Sequence, residues 1–216
     1  PRIAEEVAVS KNLELLGYAG GRLHFAKLST AKSLDMIRAA KKKGLNVSCD
    51  IVAYQPLYSD EVLSDFDTNY KVNPPLREKT DQDALIKGLK DGTIDVLVSN
   101  HTPHEDESKF LEFDQAEFGM INLQTFASQL VSLSKSVEIE DLIEKVTDAP
   151  RRLLKLPPVI VDLDTKANLT LLDPNREWTF APELNFSKSK NSPWLGQTLK
   201  GKVTAVFNNS KQWLDA

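Results

Sequence analysis

The chain has 216 residues, 41% of them apolar and 27% charged, with a net charge of −4, an ordinary balance for a globular protein. That charge gives no basic footprint for nucleic acid, no stretch approaches the ~20 apolar residues of a membrane span, and no signal-peptide pattern is present. The single cysteine, Cys49, excludes an intramolecular disulfide and suits a reducing cytoplasm.

Residues 3–16 carry apolar side chains at helical spacing among Glu and Lys, and the glycines at 17, 20 and 21 end that helix. Residues 22–28 read as a short strand. Ser29-Thr30 can cap a helix over 31–43, with Leu34, Met36, Ile37 and Ala40 as its apolar face and Gly44 as its stop. Lys41-Lys42-Lys43 complements the dipole at its carboxyl end. Residues 46–53 form a second strand leading to Tyr54, Gln55 and Pro56, and 60–67 a polar turn or short helix. A third short strand is expected over 70–73, stopped by Pro74-Pro75, which cannot donate to a ladder. A helix from Thr80 or Asp81 to Leu89 and a fourth strand over 94–99 follow.

That fourth strand runs into Asn100, His101, Thr102, Pro103 and His104, an apolar run ending in a polar loop where an α/β barrel would place its chemistry. The acidic segment 105–117 has the length of an active-site loop. Helices are expected over 120–134, 138–146 and 149–154. Strands over 159–163, 167–172 and 202–207 would then build a small β unit, with turns at Asp173-Pro174 and Gly201. Strands alternating with helices give a parallel α/β layout, and right-handed crossovers curve four such strands into half a barrel. A complete (β/α)8 barrel needs about 250 residues. With Pro1 rather than methionine first, the chain reads as the carboxyl half of something larger.

Several of these stretches resemble motifs of the dihydroorotase family, cyclic amidohydrolases of pyrimidine synthesis. Arg22 to Thr30 (RLHFAKLST) is similar to the family's Leu-His-x-x-His-x-Ser-Thr, and Lys71 to Arg77 matches Lys-Val-Asn-Pro-Pro-Leu-Arg without a change. Asp91-Gly92-Thr93-Ile94-Asp95 leads into the last strand, and Asn100 to His104 resembles Asp-His-Ala-Pro-His. Phe118-Gly119 and Ser187 to Pro193 resemble the substrate loop and the tail motif. The resemblance implies the carboxyl-terminal half of a TIM-type barrel, strands 5–8, over 1–156, and a small β-sandwich-type tail over 157–216.

It also implies a zinc pair that makes a hydroxide and polarises the ring amide. Of the family's ligand positions, those on strands five, six and eight fall in this chain, on Lys27, Tyr54 and Asn100. An ammonium has no lone pair, an ordinary phenol is a poor ligand, and an amide is no base at physiological pH. No metal and no catalytic residue are therefore expected, with zinc required only if the chain is active. His24, an odd offset from Lys27, should face the helices. By resemblance Asn73, His104, Phe118 and Gly119 are substrate-binding positions, although Asn73 also suits a turn before two prolines and His104 a loop hydrogen bond.

Two readings stand: an active dihydroorotase, or an inactive homologue with a scaffold or regulatory role. Such homologues associate with aspartate transcarbamoylase, and a half barrel calls for a second copy or its missing half as partner. Other amidohydrolase chemistry lacks a nucleophile, since Cys49 lies inside a strand without a neighbouring base.

Overall fold

A computed structural model describes residues 1–215. Three short parallel strands, β1 (Leu23–Phe25), β2 (Val47–Val52) and β3 (Val96–Val98), lie side by side in that order. Helices α1 (Arg2–Ala19), α2 (Ala31–Lys42) and α3 (Lys79–Lys90) precede and connect them. One face of the sheet is apolar because alternate side chains point the same way. Val47, Cys49 and Ile51 on that face bury against Leu34, Ile37, Leu85 and Leu89 of the helices. α1 runs through Gly17 and stops at Gly20, whose φ of 70° suits a residue without a Cβ.

The turn between β1 and α2 is satisfied by carboxylates from three other elements. Lys27 N–H donates to Asp50 Oδ1 at 2.7 Å and Leu28 N–H to the Asp50 carbonyl at 3.0 Å. Ser29 and Thr30 N–H both donate to Glu5 Oε1 at 3.0 Å, and Ala31 N–H to Asp81 Oδ1 at 2.8 Å. Thr30 Oγ1 caps α2 by accepting from Ser33 N–H at 3.2 Å, an interaction worth about 1 kcal/mol. Arg2 ties α1 to α3 through Glu78 and Asp81.

The third strand expected over 70–73 does not form. β2 and β3 pair directly, with Asp50 opposite Val96 and Val52 opposite Val98, so nothing fits between them. Thr68–Tyr70 is instead a 3-10 turn, and Lys71 to Asn73 run along the rim into a cis Asn73–Pro74 peptide. The helix expected from Met120 begins six residues late, as α5 (Phe126–Leu133), because residues 120–123 pair with the two-histidine loop. α4 (Asp106–Lys109), α6 (Ile139–Val146) and α7 (Asp148–Leu153) complete the helices. Among the described residues, no helix is long and apolar enough to cross a membrane.

Where a sandwich-type tail was read, the described residues form one antiparallel sheet of β4 (Asn168–Thr179), β5 (Thr198–Asn208) and β6 (Lys211–Leu214). Residues 159–163 are irregular, their Ile160, Val161 and Leu163 exposed without a neighbour to pair with. The turn expected at Asp173-Pro174 is present as a local Asx-turn, Asp173 Oδ1 accepting from Asn175 N–H at 2.9 Å and Arg176 N–H at 3.2 Å, but it does not end the strand. β4 continues through it by a register shift between Asp173 and Glu177, which releases the proline from donating. The tail is sewn to the α/β part. Phe180 and Trp194 share a buried cluster with Val52, Tyr54, Val72, Leu76 and Met120, and Trp194 Nε1 donates to the Tyr58 hydroxyl at 2.8 Å.

Gly201 is not a turn but the point where β5 crosses α5. Its φ is 92°, and a Cβ there would stand 2.5 Å from Val131 Cγ2. Its carbonyl accepts from Ser128 Oγ at 2.6 Å and Trp178 Nε1 at 3.1 Å. Gly20, with φ 70°, has open space where a Cβ would go. Gly201→Ala should therefore cost at least about 2 kcal/mol, from backbone strain plus overlap, while Gly20→Ala costs about 1 kcal/mol from strain alone. Equal losses by denaturant unfolding of the two variants would show that the α5–β5 contact is loose.

Candidate functional site

The carboxyl ends of the three strands form a rim, and Asn100 is its hub. Asn100 has φ 48° and Lys27 φ 58°, left-handed conformations that turn each chain sharply out of its strand. Lys27 Nζ donates to Asn100 Oδ1 at 3.3 Å. Asn100 Nδ2 donates to Tyr54 Oη at 2.8 Å and to the Asn73 carbonyl at 3.3 Å. Lys27, Tyr54, Asn73 and Asn100 thus meet at one place, as the sequence positions require.

His24 does not lie among the helices. It projects from the opposite face of the sheet, where Nδ1 meets Ser48 Oγ at 2.8 Å and Nε2 meets Asp50 Oδ2 at 2.9 Å. The odd-offset rule holds only inside a strand. β1 ends at Phe25, so the left-handed backbone of Lys27 returns that side chain to the same side as His24.

Tyr54 is fully buried, and burial pushes its phenol up to about 12, with the Asn100 hydrogen bond acting against that. It is a neutral donor and acceptor, not a phenolate. The Cys49 thiol, also buried, is pushed up to about 12 by desolvation and by Asp95, which removes it as a nucleophile.

His101 Nδ1 accepts from the N–H groups of Asn122 and Leu123 at 2.9 and 3.1 Å, so the proton sits on Nε2. Burial lowers its pKa further below the ordinary value. His104 Nε2 reaches the Phe118 carbonyl at 3.1 Å and must carry the proton there.

The substrate-loop backbone is not on offer at Gly119. Its N–H donates to the Lys71 carbonyl at 2.8 Å, and its carbonyl accepts from Lys109 Nζ at 3.0 Å and Asn191 Nδ2 at 3.2 Å. A Cβ at Gly119 would lie 2.6 Å from Thr102 Cβ, so the close contact of the two loops needs glycine. The Phe118 carbonyl is taken by His104, while its ring is exposed over Lys71 Nζ at 4.6 Å. Asn73 keeps its side chain exposed at the rim.

Three residues that hold this loop were not singled out from sequence. Lys71 Nζ donates to the Asp114 carbonyl at 2.9 Å, and Lys109 Nζ to the Glu117 carbonyl at 2.7 Å. Asn191 Oδ1 accepts from His104 N–H at 3.2 Å and Nδ2 donates to the Thr102 carbonyl at 2.9 Å. The signals were present: Lys71 and Asn191 lie inside quoted motifs, and Lys109 is the one cation in an acidic segment.

The side chains at the rim do not suit a zinc pair. Lys27 brings positive charge, Asn100 spends its amide oxygen on that ammonium, and Tyr54 is a neutral phenol. Among the described residues, no three or more His, Cys, Asp or Glu side chains gather as a metal would need.

No protein-family profile matches the chain. It is 41% identical to a dihydroorotase of Carboxydothermus hydrogenoformans over 205 residues, 93% of this chain and 48% of that protein. It is 37% identical to a dihydroorotase of Trichlorobacter lovleyi over 213 residues, 98% of this chain and 50% of that one. The chain thus spans about half the length of the curated relatives it matches. Its fold superposes on an L-hydantoinase (dihydropyrimidinase) from Arthrobacter aurescens with a TM-score of 0.87 at 22% identity, covering 100% of this chain and 49% of that one. An inactive dihydroorotase-like domain of a Chaetomium thermophilum CAD-like multifunctional protein superposes at a TM-score of 0.70 and 20% identity, over 94% of this chain and 54% of that one.

Burial and the neighbouring Lys71 charge hold Lys109 down at about 8, below its ordinary 10.5. The unfolded chain therefore binds more protons there between pH 8 and 10.5, and the cost of burying the charge is relieved as pH rises through that window. The unfolding midpoint of the native protein should rise across it relative to Lys109→Met. A difference between the two that is flat with pH would contradict a buried ammonium at this position.

Proposed function

Since the chain belongs to the dihydroorotase family along the stretch it shares with those relatives, we propose that it is a non-catalytic homologue serving as a scaffold or regulatory part of pyrimidine synthesis. In this reading the three strands and their helices belong to the carboxyl-terminal half of a TIM-type barrel, strands 5–8, in which the 70–73 segment crosses the rim in place of a fourth strand. One observation carries it: Asn100 bridges Lys27 and Tyr54 by hydrogen bonds where the family's resemblance calls for metal ligands. Without a metal-bound hydroxide there is no strong nucleophile at neutral pH. His101, the remaining imidazole beside Asn100, spends its lone pair on two backbone amides.

The second reading, an active dihydroorotase opening and closing the dihydropyrimidine ring with zinc, is favoured by the identity to the curated relatives and by the exposed Asn73 and the nearby His104. Elemental analysis of the full-length protein after zinc supplementation, with a ring-opening assay, separates the two. The expected result is far less than one zinc ion per chain and no turnover above background. About two zinc ions per chain with turnover would overturn the non-catalytic reading. Loss of one supporting residue around a metal costs roughly 10–100-fold in affinity. Lys27→His, Tyr54→His and Asn100→Asp made together should accordingly raise zinc uptake.

We further infer that the open sheet is covered in the assembled protein, by the barrel half that the longer relatives contain or by a second copy, with aspartate transcarbamoylase as the partner enzyme. α1 exposes Ile3, Val7, Leu15 and Tyr18 along one side while Val9 and Leu16 bury on the other, so both of its faces are apolar. Light scattering of these 216 residues should give self-association or aggregation. A stable monomer of 24.1 kDa would exclude that need for a cover.

A further inference from the structure

We propose that the cavity between the 57–70 segment, α5 and the tail binds a neutral polyhydroxylated compound, a sugar or polyol, through Gln129, Ser132 and Tyr58. The proposal goes beyond the reading of the rim and does not rest on it, because none of Lys27, Tyr54, Asn73 and Asn100 lines this cavity. Its volume is about 320 Å³. Small-molecule sites usually measure roughly 300–1,000 Å³, and one water takes only about 30 Å³. Gln129 lies in the middle of α5, is 3% exposed and lines the cavity. The orientation of its amide follows from its neighbours. Asn122 Nδ2 donates to the Ser99 carbonyl, which can only accept, so Asn122 Oδ1 is the atom turned to Gln129. Gln129 Nε2 must therefore donate to that oxygen, and it also donates to Thr125 Oγ1 at 3.1 Å. Asn122 stands outside the cavity wall, so Oε1 is the end of the amide left toward the cavity. That oxygen has no hydrogen-bond partner among the described residues. A buried acceptor left unpaired is costly, and a ligand that donates to it relieves the cost.

The rest of the lining sets the chemical class. Among the described residues, no side chain of the cavity wall carries a formal charge. Burial raises the pKa of the Tyr58 and Tyr70 phenols, which keeps both neutral. A charged ligand would leave water there without a counter-ion, so phosphates, carboxylates and ammonium compounds are disfavoured. Ser132 Oγ donates to the Ser128 carbonyl at 2.9 Å, which leaves its lone pairs for a ligand O–H. Tyr58, half-buried, already accepts from Trp194 Nε1 at 2.8 Å and has its own hydrogen to give. Two acceptors and a donor thus converge on the space, and hydroxyl groups on adjacent carbons can serve all three. The rings of Tyr58 and Trp194, tilted at 47° with centroids 5.9 Å apart, give the carbon face of such a compound an apolar wall. A simple amide would serve Gln129 alone.

The test is saturation-transfer NMR of the full-length protein with D-glucose, and separately with D-glucose 6-phosphate and with acetamide. Glucose should saturate in the millimolar range, and the other two should bind at least about threefold more weakly. Gln129→Leu removes the open acceptor and should weaken glucose binding about three- to tenfold, the effect of one hydrogen bond. Ser132→Phe leaves the Gln129 amide and its partners in place and fills the cavity from the next turn of α5. It should weaken binding at least about tenfold while leaving the thermal midpoint unchanged or higher. Absence of saturation below about 100 mM, which would make this a space for water only, overturns the proposal, as does unchanged binding in either variant. Equal or tighter binding of the phosphate ester overturns the neutral ligand, and tighter binding of acetamide overturns the polyol. Zinc content and turnover do not enter these measurements, so the outcome is separate from that of the non-catalytic reading.

Discussion

Five consecutive backbone N–H groups, from Lys27 to Ala31, are the constraint on which the rest of this molecule turns. Each is satisfied from outside its own segment, by Asp50 of β2, Glu5 of α1 and Asp81 of α3. Buried amides without partners are expensive, so the turn holds its shape only when all three neighbouring elements are in place. The same turn then sets Lys27 in its left-handed conformation and aims its ammonium at Asn100. A helix start, a sheet edge and the rim are therefore fixed by three carboxylates and one backbone carbonyl. Glu5 is the most distant in function and among the most heavily used, accepting from both N–H groups and both hydroxyls of Ser29 and Thr30.

Much of the fold was legible because its periodicities are clean. α2 and α3 carry apolar faces at helical spacing with a cap or an acid in the first turn, and they appear within a residue or two of the expected limits. What failed was what tertiary pairing decides. A strand at 70–73 has fitting residues but no open neighbour, since β2 and β3 bond to each other. Residues 120–125 have helical spacing, yet the N–H groups of Asn122 and Leu123 are claimed by His101 and that of Ile121 by the Asn191 carbonyl. The tail reads as strands, but whether strands stack or lie in one sheet depends on contacts with α5 that sequence spacing does not encode.

The rim was legible by position and less so by direction. The grouping of Lys27, Tyr54 and Asn100 follows from the ends of strands, which a sequence shows, whereas Asn73 arrives on a rim segment that is no strand. The orientation of His24 followed a rule that applies only while the backbone stays extended, and Lys27 lies past that limit. The backbone groups of Gly119 look available in sequence and are spent in space on Lys71, Lys109 and Asn191. That loop is held by two buried ammoniums and an amide working on carbonyl oxygens. Such a scheme leaves no charge-pair signature to find in a linear reading.

The apolar cluster that joins Tyr54 and Tyr58 to Trp194 also orders events in time. Tyr58 and Trp194, joined by a hydrogen bond, are 136 positions apart in the chain. At synthesis rates of 5–20 residues per second, the first therefore leaves the ribosome roughly 7–27 s before the second. Through that interval the end of β2 has no cover for Val52 and Tyr54, which are fully buried in the finished protein. Nascent chains of this kind present a sticky strand end before the residue that seals it exists, which is the circumstance in which chaperones act. Closing so long a loop also makes the sealing of that cluster a late and slow step, behind the local helix–strand contacts of the first hundred or so residues.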